Sequence, residues 1–157
     1  MKKPIYPFTR CTWPQALLSS LLLSLSLGGA GMALAAEELP MKIHLDVDGQ
    51  RVTATLDDSA AARDFAALLP LSLTLEDYAV IERIAYLPRK LVTTGAPAGV
   101  TPKAGDLNYY APWGNLAIFL GANPYARGLV RLGKVDTGLA ALQRPGPLQV
   151  RIERITD

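Results

Sequence analysis

Apolar and polar side chains alternate along two neighbouring stretches near the start of the globular part of the chain, residues 41–47 and 51–56. Alternation with a period of two is typical of a strand with one buried face. Asp48 and Gly49 lie between the two stretches, and both tolerate the positive φ of a two-residue hairpin turn. The apolar positions are Ile43, Leu45, Val47, Val52, Ala54 and Leu56. The pattern predicts a β-hairpin.

A second hairpin is predicted over residues 105–120, around which the rest of the chain is organised. Strand-forming residues lead into and out of a turn at Pro112-Trp113-Gly114. This segment also holds much of the aromatic surface of the chain. None of its residues is an evident nucleophile, base or metal ligand.

One helix is predicted between the two hairpins. Asp57, Asp58 and Ser59 are suited to cap its first turn, because their side-chain oxygens accept hydrogen bonds from free backbone N–H groups. Apolar residues then recur at helical spacing over 62–69, and Pro70 ends the helix. A short helix with one apolar face is expected to cover an open end of a barrel or sandwich.

The remaining chain predicts further strands separated by Gly- and Pro-rich connections. Strands are expected at 71–76, 129–135 and 148–155, and a short helical turn at 137–142. Surface loops are expected at 91–104 and 121–128. The pattern is ambiguous over 77–86, and residues 87–90 are extended or form a turn. Seven or eight short strands with one or two short helices predict a mainly β fold, either a closed barrel or a sandwich.

The first 35 residues have the order of a secretory signal peptide. Lys2, Lys3 and Arg10 precede an apolar segment at 16–27, and small residues follow up to Ala35. An uncleaved membrane anchor is the alternative, although the apolar segment is shorter than the ~20 residues that a spanning helix needs. We therefore expect a signal peptide at 1–35, one domain at 36–157 and export to the periplasm or the medium, with membrane association only if the segment stays uncleaved.

Charge and cysteine content exclude several classes of function. Loss of the three basic residues before position 35 leaves 13 of the 16 Lys and Arg against 14 acidic residues, a net charge of −1. A near-neutral domain lacks the basic footprint of a nucleic-acid-binding protein. Cys11, the one cysteine, precedes the cleavage site, so a disulfide, a thiolate metal site and a cysteine nucleophile are excluded from the domain.

No catalytic or metal-binding constellation is evident. His44 is the one histidine, and it lies on the polar face of a predicted strand. Asp46 and Asp48 flank a turn, whereas Asp57 and Asp58 begin a helix, so structural duties explain both acidic pairs. We expect no catalytic residue, no metal and no cofactor.

The aromatic residues of the second half suggest a binding surface. Tyr86, Tyr110 and Trp113 offer an apolar face with a polar tip, which suits one wall of a cleft for a peptide or small ring. Arg89 and Arg131 would add a charged rim, and Asn115 an amide at the turn. The alternative is that the aromatic residues serve core and turn packing.

Five stretches together resemble the bacterial cyclophilin-like proteins, small barrels of mostly unknown function. The stretches are Phe-Ala-Ala-Leu-Leu-Pro-Leu-Ser-Leu-Thr-Leu (65–75), Tyr-Leu-Pro (86–88), Ala-Gly-Asp-Leu (104–107), Ala-Pro-Trp-Gly-Asn-Leu-Ala-Ile-Phe (111–119) and Leu-Val-Arg-Leu-Gly-Lys-Val (129–135). The resemblance covers about residues 41–155 and implies a closed cyclophilin-like β-barrel with a helix over one end.

The resemblance does not carry over an enzymatic site. The isomerase motifs of true cyclophilins, a Phe-His-Arg segment and a Gln-Gly-Gly-Asp segment, have no counterpart here. We therefore expect an exported binding or accessory domain for a peptide or small molecule. The alternatives are a divergent peptidyl-prolyl isomerase, which would need Arg89 or Arg131 beside Trp113 and Tyr110, and a purely structural or partner-docking module.

Overall fold

The computed structural model describes residues 40–156. The predicted signal peptide at 1–35, and its alternative as a membrane anchor, lie outside the described residues. Within 40–156, no helix combines the length and the hydropathy that crossing a membrane requires.

Ten strands and two short helices make up the described chain. The strands are β1 (Lys42–Val47), β2 (Gln50–Leu56), β3 (Leu71–Tyr78), β4 (Glu82–Tyr86), β5 (Gly99–Val100), β6 (Asp106–Tyr110), β7 (Asn115–Phe119), β8 (Ala126–Arg127), β9 (Leu129–Thr137) and β10 (Leu148–Arg154). Helix α1 spans Ala60–Ala66, and a 3-10 helix spans Leu139–Gln143. Both predicted hairpins form, and Ser59 caps α1 by accepting a hydrogen bond from the N–H of Ala62 at 3.1 Å.

Eight of the strands close into a barrel in the order β1-β10-β3-β4-β7-β6-β9-β2. All neighbouring pairs are antiparallel. Closure leaves no unpaired edge in this sheet. The predicted mainly β barrel with short capping helices is therefore confirmed.

Alternate side chains of the barrel strands fill its interior, and the two helices cover its ends. The core includes the apolar residues of β1 and β2 that the alternating pattern predicts to be buried. It also includes Phe65 of α1 and Leu142 of the 3-10 helix. Helix α1 follows the last residue of β2, whereas Gly138, which precedes the 3-10 helix, lies against Arg51 and Val52 at the start of that strand. The two helices therefore cover opposite ends of the barrel.

Arg83 fixes the end that the 3-10 helix covers. Its guanidinium is 1% exposed, and it donates to the carbonyl oxygens of Leu142 at 2.7 Å, of Gly146 at 3.1 Å and of Arg144. Asp77 of β3 is its ionic partner. Because a buried guanidinium must have partners, these contacts hold the segment 142–146 against the barrel.

Gly133 permits a close approach of β9 to β2. A Cβ at this position would lie 2.3 Å from the backbone oxygen of Thr55. The register of β9 against β6 shifts next to it, between Leu107 and Asn108. A glycine is needed here because the backbones themselves are in contact.

A small second sheet covers part of the outside of the barrel. β5 and β8 pair with each other, Gly99 opposite Arg127 and Val100 opposite Ala126. The stretches 91–104 and 121–128 were predicted as surface loops, and this pairing corrects that prediction. The two strands were missed because each has only two residues, too few to show a period.

The ambiguous stretch 77–86 forms the end of β3, a turn and β4. Ala79 and Val80 in the turn have positive φ values of 47° and 67°. Residues other than Gly, Asn and Asp rarely adopt this conformation, so the sequence carries no turn signal at this point.

Candidate functional site

A cleft of about 170 Å³ opens on the outer face of the barrel, between the β3–β4 turn, the β6–β7 turn and the small sheet. We call it the aromatic cleft. It is lined by Tyr78, Glu82, Ile84, Tyr110, Trp113, Asn115, Phe119, Asn123, Ala126 and Leu129. The predicted residues Tyr110, Trp113 and Asn115 are thus brought together in one concave surface.

Trp113 forms the exposed wall of the cleft. Its ring lies 5.4 Å from that of Tyr110 and 5.6 Å from that of Tyr78, centroid to centroid, and is nearly perpendicular to both. Trp113 is 47% exposed and Tyr78 42% exposed. The edge-to-face contacts hold the tryptophan in place, while nearly half of its surface stays open to solvent.

The floor of the cleft is apolar. Phe119 and Leu129 are buried there, beside the partly buried Ile84 and Ala126. These side chains belong to the outer face of the barrel, because Leu116 and Ile118 of β7 point into the interior core. The barrel wall is therefore buried on both sides at this place, and the aromatic cleft is the opening beside the covered area.

Among the described residues of the lining, Glu82 is the one with a formal charge. Its carboxyl accepts a hydrogen bond from the side-chain amide of Asn123 at 3.4 Å. Burial raises the pKa of Glu82 above its ordinary value of 4.5, since removal of water disfavours the charged form. A carboxylate is thus held, incompletely solvated, beside an apolar floor.

Asn115 contributes a buried side-chain amide beside the cleft. The residue is 2% exposed, and its Nδ2 donates to the carbonyl oxygen of Leu116 at 3.2 Å. Because a carbonyl can only accept, this bond fixes which end of the amide is the donor. Among the described residues, Oδ1 of Asn115 has no hydrogen-bond partner. The oxygen is also buried, so the unpaired acceptor costs stability where it lies.

Tyr86 and Arg89 were predicted to join this site, and neither lines the cleft. Tyr86 lies opposite Asn115 in the β4–β7 register, on the same face of the sheet, and is 65% exposed. Arg89 instead makes a bidentate ion pair with Asp64 of α1, with both distances 2.7 Å.

Arg131, also predicted for the site, lies in a larger concavity of about 550 Å³ beside the start of α1 and the segment 94–97. Its guanidinium is 3.5 Å from a carboxylate oxygen of Asp57 and 3.6 Å from one of Asp106. Arg131 therefore lies between two carboxylates. Although this concavity is larger, its charged groups already have partners, so we place the candidate site in the aromatic cleft.

Several residues of the cleft were not predicted. They are Tyr78, Glu82, Ile84, Phe119, Asn123, Ala126 and Leu129. One signal was present in the sequence: Leu116 to Phe119 is an uninterrupted apolar run, which is typical of a strand buried on both faces. Such a run indicates that another element covers the outside of β7, and a cleft forms where that cover ends.

The lining suits binding of a small group that has an apolar surface and a hydrogen-bond donor. Within residues 40–156, no group of three His, Cys, Asp or Glu side chains is arranged to hold a metal ion. Among the described residues, the polar side chains of the lining are the carboxyl of Glu82, the amides of Asn115 and Asn123 and the hydroxyls of Tyr78 and Tyr110.

Comparisons with known proteins agree on the fold. The model of a family described as the cyclophilin-like family matches residues 45–153. A search of curated proteins found no match. Among solved structures, the solution structure of a hypothetical protein from Archaeoglobus fulgidus matches with a TM-score of 0.58 and 15% sequence identity, over 78% of this chain and 100% of that chain. At this identity, the structural likeness supports the fold alone.

Proposed function

Since this chain belongs to the cyclophilin-like family, we propose that it is a binding domain that holds a small ligand or a peptide side chain in the aromatic cleft. The observation that carries the proposal is Trp113, which is kept half exposed above an apolar floor by two perpendicular tyrosine rings. Aromatic rings that line a concavity with an apolar floor and a few polar groups are typical of small-ligand sites.

Export is part of the proposal. It is supported by the order of basic, apolar and small residues in the first 35 positions. In that setting the domain would act as a ligand carrier or as an accessory to another exported protein.

The alternative, a divergent peptidyl-prolyl isomerase, is less well supported. An isomerase needs a donor to the prolyl nitrogen beside an apolar pocket, and the described residues that line the cleft include no arginine. Arg89 and Arg131 would first have to leave their carboxylate partners. The geometry therefore favours binding over catalysis.

A comparison of the ligand affinities of two variants tests the proposal. Neutral fragments and an Ala-Pro peptide are screened against the protein, and the affinity of each ligand found is measured for Trp113→Leu and Tyr86→Leu. Trp113→Leu should weaken binding about fivefold or more, since an aromatic contact buried by the ligand contributes on the order of 1 kcal/mol or above. Tyr86→Leu, an exposed aromatic on the same face outside the cleft, should have little effect.

The same samples separate binding from catalysis. NMR exchange spectroscopy on the Ala-Pro peptide should show no cis/trans cross-peaks at sub-second mixing times, because uncatalysed isomerisation takes tens of seconds. Cross-peaks that disappear with Arg89→Leu or Arg131→Leu would favour the isomerase instead. Equal loss of affinity in both aromatic variants would contradict the placement of the site.

A further inference from the structure

The charge of the aromatic cleft is negative. Its described lining contains the carboxyl group of Glu82 and no lysine or arginine. Arg83, the next residue along β4, points into the barrel, where backbone carbonyls hold it. The cation of Arg83 therefore does not neutralise Glu82 within the cleft.

The carboxyl group of Glu82 presents acceptor oxygens to an occupant of the cleft. Among the described residues, its hydrogen bond is the long contact from Asn123 at 3.4 Å. The Nδ2 groups of both asparagines in the lining are already engaged. An occupant that brings positive charge is therefore favoured over one that brings an anion.

The aromatic rings add a preference for cations with an apolar surface. The face of a tryptophan or tyrosine ring carries negative charge density and attracts ammonium groups. Trp113 stands nearly perpendicular to Tyr78 and to Tyr110, and all three rings line the cleft. Several aromatic rings around one site are typical of proteins that recognise alkylated ammonium groups.

The size of the cleft fits a head group. Its volume of about 170 Å³ is below the roughly 300–1,000 Å³ that is usual for drug-sized ligands. The apolar floor at Phe119 and Leu129 favours methyl groups, because the face of an ammonium group that is turned to these side chains loses water and gains no hydrogen bond there.

We propose that the occupant of the aromatic cleft carries an alkylated ammonium group, whose methyl groups contact the ring of Trp113 and whose charge faces the carboxylate of Glu82. This inference rests on the proposed function, because it names the ligand class of the same cleft.

Two probes of the same shape test the inference. The protein is expressed from its full sequence with Trp13→Phe, so that Trp113 is the one remaining tryptophan, and its fluorescence is followed during titration. Choline is compared with 3,3-dimethylbutan-1-ol, which has the same shape and hydroxyl group but no charge. Choline should give a saturable change and bind about tenfold more tightly than the neutral alcohol.

Two variants that each remove one carboxylate test whether the preference for choline comes from Glu82. Glu82→Gln keeps the size of the side chain and should remove most of the preference for choline, about tenfold, while binding of the neutral alcohol stays unchanged. Glu76→Gln makes the same change of charge at an exposed position of β3 outside the lining, and it should leave both affinities as they were.

The outcomes separate the two proposals. Equal binding of choline and the alcohol, or equal effects of Glu82→Gln and Glu76→Gln, would overturn the ammonium inference while the cleft remains a binding site. If choline does not bind but neutral fragments or the peptide still bind at Trp113, the ammonium inference is likewise overturned and the cleft remains a binding site. If no fragment, peptide or choline binds, both proposals fail.

Discussion

Arg89 forms an ion pair with Asp64, a structural contact that the sequence alone did not indicate. Arg89 was considered for the rim of a binding site, yet its guanidinium joins the segment after β4 to α1. Asp64 also accepts from the backbone N–H of Val92 at 2.8 Å. The hydrogen bond from Arg89, with that from Val92, lowers the pKa of Asp64 from 3.8 to about 2.

This contact predicts a dependence of stability on pH. The pKa of Asp64 is lower in the folded state, so its contribution is fully present above 3.8 and is lost as the pH falls through about 2. Asp64→Asn should therefore lower the free energy of unfolding by roughly 1 kcal/mol at pH 7, the upper range for a half-exposed bidentate pair. The difference from the unsubstituted protein should shrink between pH 4 and pH 2, as measured by urea unfolding.

Asp58→Asn is the matched control. Asp58 precedes α1 and forms an exposed ion pair with Arg63 of that helix. Its effect at pH 7 should stay below about 0.5 kcal/mol. A loss of stability for Asp64→Asn that is the same at pH 7 and pH 2 would mean that the ion pair is not the cause.

At the scale of elements, local patterns were sufficient for both hairpins and for the start of α1, although the helix ends at Ala66, before the predicted stop at Pro70. The turn at Asp48 and Gly49 has positive φ at both residues, as its sequence predicts, and Gly114 takes positive φ in the second hairpin. These features depend on neighbouring residues, so one sequence carries the full signal. β5 and β8 depend instead on each other across more than 20 intervening residues, and no local pattern marks them.

The β3–β4 turn was missed for a different reason, and it yields a prediction. Val80 is 88% exposed and has a φ of 67°, a conformation that costs a β-branched residue about 1–2 kcal/mol. Val80→Gly should raise the free energy of unfolding by about 0.5–1 kcal/mol, once the greater chain entropy of glycine is deducted. Chemical denaturation measures the change.

Val92→Gly is the control for that change, because Val92 is also an exposed valine but is not among the residues with positive φ. Glycine at Val92 should destabilise by about 0.5–1 kcal/mol. Changes of the same sign at both positions would show that the strain at Val80 is not relieved by glycine.

At the scale of the whole molecule, Arg83 decides how one end of the barrel is closed. No apolar pattern predicts a fully buried arginine, because its partners are backbone carbonyls of the distant segment 142–146. Arg83→Met should lower the free energy of unfolding by about 2–3 kcal/mol, since buried carbonyl groups are left without donors. Arg151→Met, at an exposed position of β10, should change it by less than about 0.5 kcal/mol.

Hydrogen exchange gives the independent check on Arg83. In Arg83→Met, the amide of Ala141, which donates to Gly138 at 2.9 Å, should exchange faster than amides of α1 at the other end of the barrel. Uniform acceleration over the whole barrel would instead indicate a general loss of packing.

The aromatic cleft also belongs to the whole molecule, because it is assembled from β3, β4, β6, β7, β8, β9 and the connections between them. The predicted residues Tyr110, Trp113 and Asn115 share one hairpin and could be found together from the sequence. Tyr78 and Glu82 reach the same place through the pairing of β3 with β4 and of β4 with β7, and the second pairing joins residues that are distant in the sequence.

The most direct test of the binding proposal is to map where ligands contact the protein. Amide and indole N–H shifts are recorded by NMR while neutral fragments and choline are titrated into the protein. The proposal predicts that the largest shifts cluster at the indole of Trp113 and at the amides of Tyr78, Glu82 and Asn115. Shifts that cluster instead around Arg131 and residues 94–97, or that appear nowhere at millimolar ligand, would contradict it.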